Sequence, residues 1–163
     1  MTYAKKANKE GFMKNLFKKT LEQLQPNLEQ SQSNTDKRLT TGYVCTVTFW
    51  TEHHEAINKL IDELQKNEIL KTDGSGMYIP CKLLPDPTNK YDKDAIAVYA
   101  RIPNKPRATW HHIGFIPSKL IDTVKEKMKY VESGDYYFRI NMKCSLITGT
   151  TFDVSIYESK FKK

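Results

Sequence analysis

Three carboxylates, Asp86, Asp92 and Asp94, crowd into the stretch LLPDPTNKYDKDAIAVYA (83–100). Carboxylates gathered beside a strand are where a metal-dependent nuclease places its Mg²⁺ ligands. The same residue types also have a plainer use. Asp and Asn side chains accept hydrogen bonds from backbone N–H groups a few residues on and so start turns, and Lys90 and Lys93 balance the charge. Two histidine pairs, His53-His54 and His111-His112, offer metal-binding chemistry as well. Adjacent side chains point to opposite faces of a strand and diverge around a helix, so neither pair chelates one ion unaided. The sequence contains no Gly-rich phosphate loop, no nucleophile elbow and no metalloprotease helix motif. The expectation is a binding module without metal or cofactor, with a nuclease built on Asp86, Asp92 and Asp94 ranked last.

Positioning this loop requires flanking elements, and hydrophobic periodicity supplies them. YVCTVTFW (43–50) is β-branched and aromatic and reads as a strand, with Tyr43, Cys45, Val47 and Phe49 on one face and Trp50 on the other. A helix over 52–70 follows, its inward face made by Ile57, Leu60, Ile61 and Leu64. TDGSG ends it, MYIPCKLL begins a second strand, and the loop then leads into AIAVYA. HHIGFIPSKLIDTVKEKMKY gives a short strand and a helix started near Pro117 and Ser118, with Leu120, Ile121, Val124 and Met128 inward. Gly134 closes that helix. YYFRINMKCSLI alternates cleanly, so Tyr136, Phe138, Ile140, Met142, Cys144 and Leu146 face in, and FDVSIYE returns as a hairpin partner. The order β, α, β, β, β, α, β, β predicts a mainly β (α+β) fold, a small antiparallel β-barrel with two inserted helices.

Upstream, residues 1–24 include a basic amphipathic helix, with Phe12, Leu16, Phe17, Thr20 and Leu24 near one face. It reads as a helix packed on the body, as an arm for a protein partner or nucleic acid, or as a membrane-surface helix. Residues 25–40 read as a polar linker, which leaves 41–160 as the compact domain. The chain has 163 residues, 39% of them hydrophobic and 28% charged, in keeping with one folded soluble domain and an appendage. No apolar run approaches the roughly 20 residues that a bilayer span requires, and the first residues lack the apolar core of a secretory signal, so a cytoplasmic protein is expected. Three widely spaced cysteines, Cys45, Cys81 and Cys144, suggest neither a disulfide framework nor a zinc ligand set and read as reduced core residues. The net charge is +7, but +4 of it lies in residues 1–40, so the body is only mildly basic.

The loop and strand DPTNKYDKDAIAV, followed by HIGFIPSKLIDTVKE, resemble the HIRAN domain family, whose pattern is a DPxNxxDxxAIxV segment and then a GxIP-type segment entering a helix. VCTVTFWT looks like that family's first strand. The resemblance covers roughly residues 43–158 and implies a modified OB-like β-barrel, found alone in bacteria and phages and fused to helicase or nuclease modules elsewhere. In DNA-binding members the domain captures the 3′ end of single-stranded DNA. Carried over by position, the implied contacts are Thr48, Phe49 and Trp50 at the strand end, Thr88, Asn89, Tyr91 and Asp92 in the loop, and Phe115 after the glycine. The chain departs from its DNA-binding relatives at three of these: Thr48 stands where they carry Arg, Thr88 where they carry Asn, and Phe115 where they carry His. The helix inserted after Trp50 is a further departure, placed where it could cover the pocket.

Physical reasoning reaches a similar expectation. Stacking of a base on an aromatic contributes roughly 1–3 kcal/mol and tolerates any base, so Phe49, Trp50, Tyr91 and Phe115 suit terminal nucleotides. Asp92 would repel a phosphodiester but accept a hydrogen bond from a free 3′-hydroxyl or a base amine. Lys90, Lys93, Arg139 and Lys143 are the nearest candidates for adjacent phosphates, or else part of a solvated face. The leading expectation is a non-catalytic module for single-stranded DNA ends in DNA metabolism, the alternative a protein-interaction module whose N-terminal helix contacts a partner. A turn with Asp92 accepting backbone N–H groups and Tyr91 lying over the barrel mouth accounts for the same loop in structural terms alone.

Overall fold

The computed structural model describes residues 39–48 and 50–160, with the side chains of Trp50 and Thr51 left aside. The N-terminal helix and most of the linker therefore lie outside the described residues. The compact unit to which the described residues belong begins at Leu39.

Six strands and two helices follow in the expected order. Strand β1 is Gly42–Thr46, and a 3-10 turn, Trp50–His53, leads into helix α1, His54–Lys66. Strands β2 (Asp73–Pro85), β3 (Ile96–Ala100) and β4 (His111–Phe115) come next, then helix α2, Ile121–Glu132, and the hairpin β5 (Tyr136–Ser145) and β6 (Gly149–Glu158). All pairings are antiparallel, in the order β1-β6-β5-β2-β3-β4. β2 is long because it serves two neighbours: its first part pairs with β5 and Cys81–Pro85 pairs with β3.

This is an open six-stranded sheet, not the closed barrel expected from the sequence. β1 and β4 are its two edges, and they approach through one isolated bridge beyond the end of β1, between Thr48 and Phe115. The Val47 amide still donates to the Phe152 carbonyl of β6 at 2.9 Å, whereas the Thr48 amide donates to the Phe115 carbonyl of β4 at 2.9 Å and the Thr48 carbonyl accepts from the Phe115 amide at 3.0 Å. Consecutive residues thus bond to different strands, Val47 to β6 and Thr48 to β4, which ends β1 earlier than its β-branched composition predicts.

One core unites the elements. From β5, Tyr136, Phe138, Ile140, Met142 and Cys144 point inward, and Phe152, Val154 and Ile156 meet them from β6. Ile57, Leu60 and Leu64 bring α1 onto this core, and Ile121 and Val124 bring α2. Burying a side chain of this size stabilises by about 1.5–3 kcal/mol, enough to override weak local propensities. Two face assignments fail, that Tyr43 shares a face with Cys45 and Val47 and that Leu146 points inward. Tyr43 is exposed because a bulge between Tyr43 and Cys45 shifts the alternation. Leu146, 88% exposed, lies past the end of β5 on the hairpin tip, where the period-2 rule no longer applies.

The helix ends explain why α1 is shorter than 52–70. Residues 50–53 form the 3-10 turn, and at the other end Glu68 takes φ +57°. Its amide donates to Gln65 at 3.0 Å and the Ile69 amide donates to Leu64 at 2.9 Å, so Ile69 folds back on the helix instead of extending it. α2 ends as expected at Gly134, whose φ of +84° only glycine adopts freely. Cys45, Cys81 and Cys144 are free thiols. Among the described residues no helix is long and apolar enough to cross a membrane.

Candidate functional site

The loop between β2 and β3 is folded by its own polar side chains. Asp86 Oδ1 accepts the Thr88 hydroxyl at 2.7 Å and the Thr88 amide at 3.2 Å. Asn89 Oδ1 accepts the amides of Tyr91 at 2.9 Å and Asp92 at 3.2 Å, and Asp92 Oδ1 accepts the Asp94 amide at 2.9 Å. Backbone bonds from Asp86 to Ala95 (2.8 Å), Asn89 to Asp86 (3.1 Å) and Ala95 to Asp92 (3.1 Å) close the loop. Asp and Asn recur here because each supplies the acceptor for one turn.

Asp94 leaves this chain and takes the Lys125 ammonium of α2 at 2.7 Å, which holds its carboxyl below the usual range. The carboxylates are therefore distributed among separate tasks. Among the described residues, no group of three His, Cys, Asp or Glu side chains is arranged to hold a metal ion. The nuclease arrangement of Asp86, Asp92 and Asp94 is not assembled.

The same turns present the loop to a cavity of about 770 Å³. It is lined by Thr88, Asn89, Lys90, Tyr91 and Asp92 of the loop, by Phe115 and Ile116 at and beyond the end of β4, and by Glu52 and His53 of the 3-10 turn. Five residues expected from the sequence, Thr88, Asn89, Tyr91, Asp92 and Phe115, thus share one site. Tyr91 is 88% exposed, standing at the rim in solvent and not lying over a mouth. Of the inserted segment 52–70, Glu52 and His53 line this cavity, while α1 itself contributes no residue to it.

The remaining expected residues fare differently. Thr48 does not line the cavity. Its hydroxyl donates to the Phe115 carbonyl at 3.2 Å and, with the bridge, fixes Phe115 from behind. Phe49 lies outside the described residues, and Trp50 opens the 3-10 turn. Of the cations, Lys90 lines the cavity, Arg139 packs over Tyr78 at 5.1 Å, and Lys143 lies 4.0 Å from Asp153.

The histidines were underestimated by sequence reasoning, because the informative pair is not adjacent in the chain. The His53 and His112 rings meet at 4.1 Å between centroids, tilted by 40°, and Phe115 lies 4.9 Å from His112 and 5.6 Å from His53. Burial lowers the His53 ring below its ordinary value against the opposing charge of Glu52. Burial, and then the neighbouring His53, lower His112, partly offset by the Gly114 carbonyl and Asp86. Since a carbonyl only accepts, His112 Nε2 donates to Gly114 at 3.1 Å. Nothing in the local sequence signals this meeting. His111 turns the other way, is 6% exposed, and ties β4 to α1 through Glu63 at 3.2 Å.

A cavity with exposed aromatic surface, two carboxylates (Glu52 and Asp92) and one cation (Lys90) is poorly suited to a phosphodiester and well suited to a flat ring carrying hydrogen-bond donors. Comparison with family models, with curated proteins and with solved structures finds no match for the chain.

Proposed function

We propose that this chain is a non-catalytic nucleic-acid-binding module of the HIRAN type, in which the cavity receives the hydroxyl-bearing 3′ end of single-stranded DNA. The observation that carries the reading is the pairing, in one cavity, of Tyr91 and Phe115 with Asp92. The aromatics offer stacking to any base, while the carboxylate accepts from a terminal hydroxyl and repels a terminal phosphate. The approach of the two sheet edges at Thr48 and Phe115 supports a relation to OB-like folds, with the strands short of closure.

Fluorescence anisotropy with oligonucleotides that differ only in a 3′-hydroxyl or a 3′-phosphate tests the reading. A preference of about tenfold or more for the hydroxyl is expected, equivalent to about 1.4 kcal/mol. Equal, weak binding to both, abolished by about 200 mM salt, would reduce the interaction to general charge attraction. A second reading, a protein-interaction module, is favoured by Leu146 and Ile147, exposed at 88% and 94% on the β5–β6 tip. Replacing both by Ser leaves DNA binding intact under the first reading.

A further inference from the structure

The face of the sheet turned away from the core carries a second organised feature, which begins where the cavity ends. Lys82, Tyr99 and His112 are directly paired across β2, β3 and β4. They occupy the face opposite Leu83, Val98 and Ile113, which are buried. Tyr99 stacks on His112 at 4.8 Å between centroids, inclined by 23°. The Lys82 ammonium lies 5.3 Å from the Tyr99 ring and 4.8 Å from the Trp110 ring, and the Arg101 guanidinium lies 4.5 Å from the same Trp110 ring. Because His112 also touches Phe115 and His53, the contacts run without a gap from the cavity to Arg101.

The two cations of this strip stand outside the ion pairs of the described residues, while Glu52 and Glu55 lie near its aromatic members Trp110 and His112. The ion pairs among the described residues engage Lys59, His111, Lys125, Lys129 and Lys143, and none involves Lys82 or Arg101. A ring orders a cation as a carboxylate does, yet leaves its charge in place. Arg101 is further fixed by donating from Nη1 to the Pro106 carbonyl at 2.6 Å. Two ordered cations alternating with aromatic faces match a single strand, whose phosphates seek cations and whose bases seek rings. The cavity is the reverse: two carboxylates to one cation.

We infer that this strip is a second subsite, a track for the phosphodiester backbone and bases of the single strand leading away from an end held in the cavity. The inference rests on the proposed end-binding function for its direction, and its test separates the two. Anisotropy is measured for a 3′-hydroxyl dinucleotide and for an oligonucleotide of about ten nucleotides. Wild type is compared with Lys82→Gln/Arg101→Gln.

Wild type binds the longer probe at least about tenfold more tightly, and the double variant loses that gain while keeping its affinity for the dinucleotide. The salt slope for the longer probe falls by about 0.7 for each cation removed. An unchanged slope and affinity in the variant, or no gain with length in wild type, overturns the track even if the 3′-hydroxyl preference holds. Loss of that preference with the length gain retained overturns the end-binding reading alone. A polyglutamate peptide that competes as well as the oligonucleotide also overturns the track, since any polyanion would then suffice.

A measurement on wild type covers the case in which the variant fails to fold. Photocrosslinking with a halogenated uracil a few nucleotides from the 3′ end should map to the peptides containing Tyr99 or Trp110. Mapping elsewhere overturns the track.

Discussion

His53 and His112 stand 4.1 Å apart, centroid to centroid, one delivered by the 3-10 turn after β1 and the other by β4. Neither ring accepts a proton readily, because burial disfavours the charge on both and each proton on His53 further disfavours one on His112. The pair therefore stays neutral near pH 7, and His53, the member that lines the cavity, presents ring surface and not charge to it.

Linkage turns this into a stability profile. Both folded values lie below the ordinary histidine value of 6.5, so just below that pH the unfolded chain binds more protons than the folded one. Stability from the pair is complete above about pH 7 and declines as pH falls through about 6.5 toward the lowered folded values. The melting temperature is expected to hold between about pH 8 and 7 and to drop on acidification to about pH 5. His112→Phe retains a ring beside Tyr99 without a proton site and is expected to flatten the drop. An equally steep decline in that variant would assign it to other groups.

Asp92→Asn separates the loop's structural work from its proposed recognition. Asn retains the Oδ1 acceptor for the Asp94 amide at 2.9 Å, so the change in stability should stay below about 1 kcal/mol. The preference for a 3′-hydroxyl over a 3′-phosphate should fall toward unity, as read by anisotropy. A lower melting temperature with the preference unchanged would leave Asp92 a turn residue only.

Gly76 predicts a coupled pair on the sheet. A Cβ added there would collide with Asn141 Oδ1, far inside any tolerated contact. Gly76→Ala is expected to destabilise by about 1–3 kcal/mol. Asn141→Ala should relieve most of that cost, so urea denaturation of the double variant would give a clearly non-additive cycle. Additive losses would mean that Asn141 moves aside freely.

Cys45 and Cys81 should be unreactive in the native protein. Burial, with Asp153 adding to it, pushes the Cys45 thiol up to about 11, and burial with Cys45 nearby pushes Cys81 up as well. The thiolate is the reactive form, so alkylation at about pH 8 should be slow at both until urea is added. Rapid native labelling at either would show that the core opens locally.

Much of the fold was legible because its signals are local. The alternation of Tyr136 to Cys144 needs only period two, and the inward residues of α1 need only period 3.6. The turn chemistry of Asp86, Asn89 and Asp92 was also legible, since each side chain bonds two or three residues away. The errors fall where a local rule meets a long-range constraint. Tyr43 follows the alternation until a bulge against β6 shifts it, and Leu146 follows it until the hairpin turns.

The sequence by itself determined the order of elements, the inward faces of the strands and helices, and the loop that presents Thr88, Asn89, Tyr91 and Asp92. Only the tertiary structure decided that the sheet stays open with its edges touching at Thr48 and Phe115, 67 residues apart. It alone brought His53 to His112, and Lys82, Tyr99 and Trp110 into one strip. The reason is physical: periodicity records which face of an element is apolar, whereas these meetings depend on register and on how the sheet is ordered, properties that belong to pairs of distant segments and to no single window.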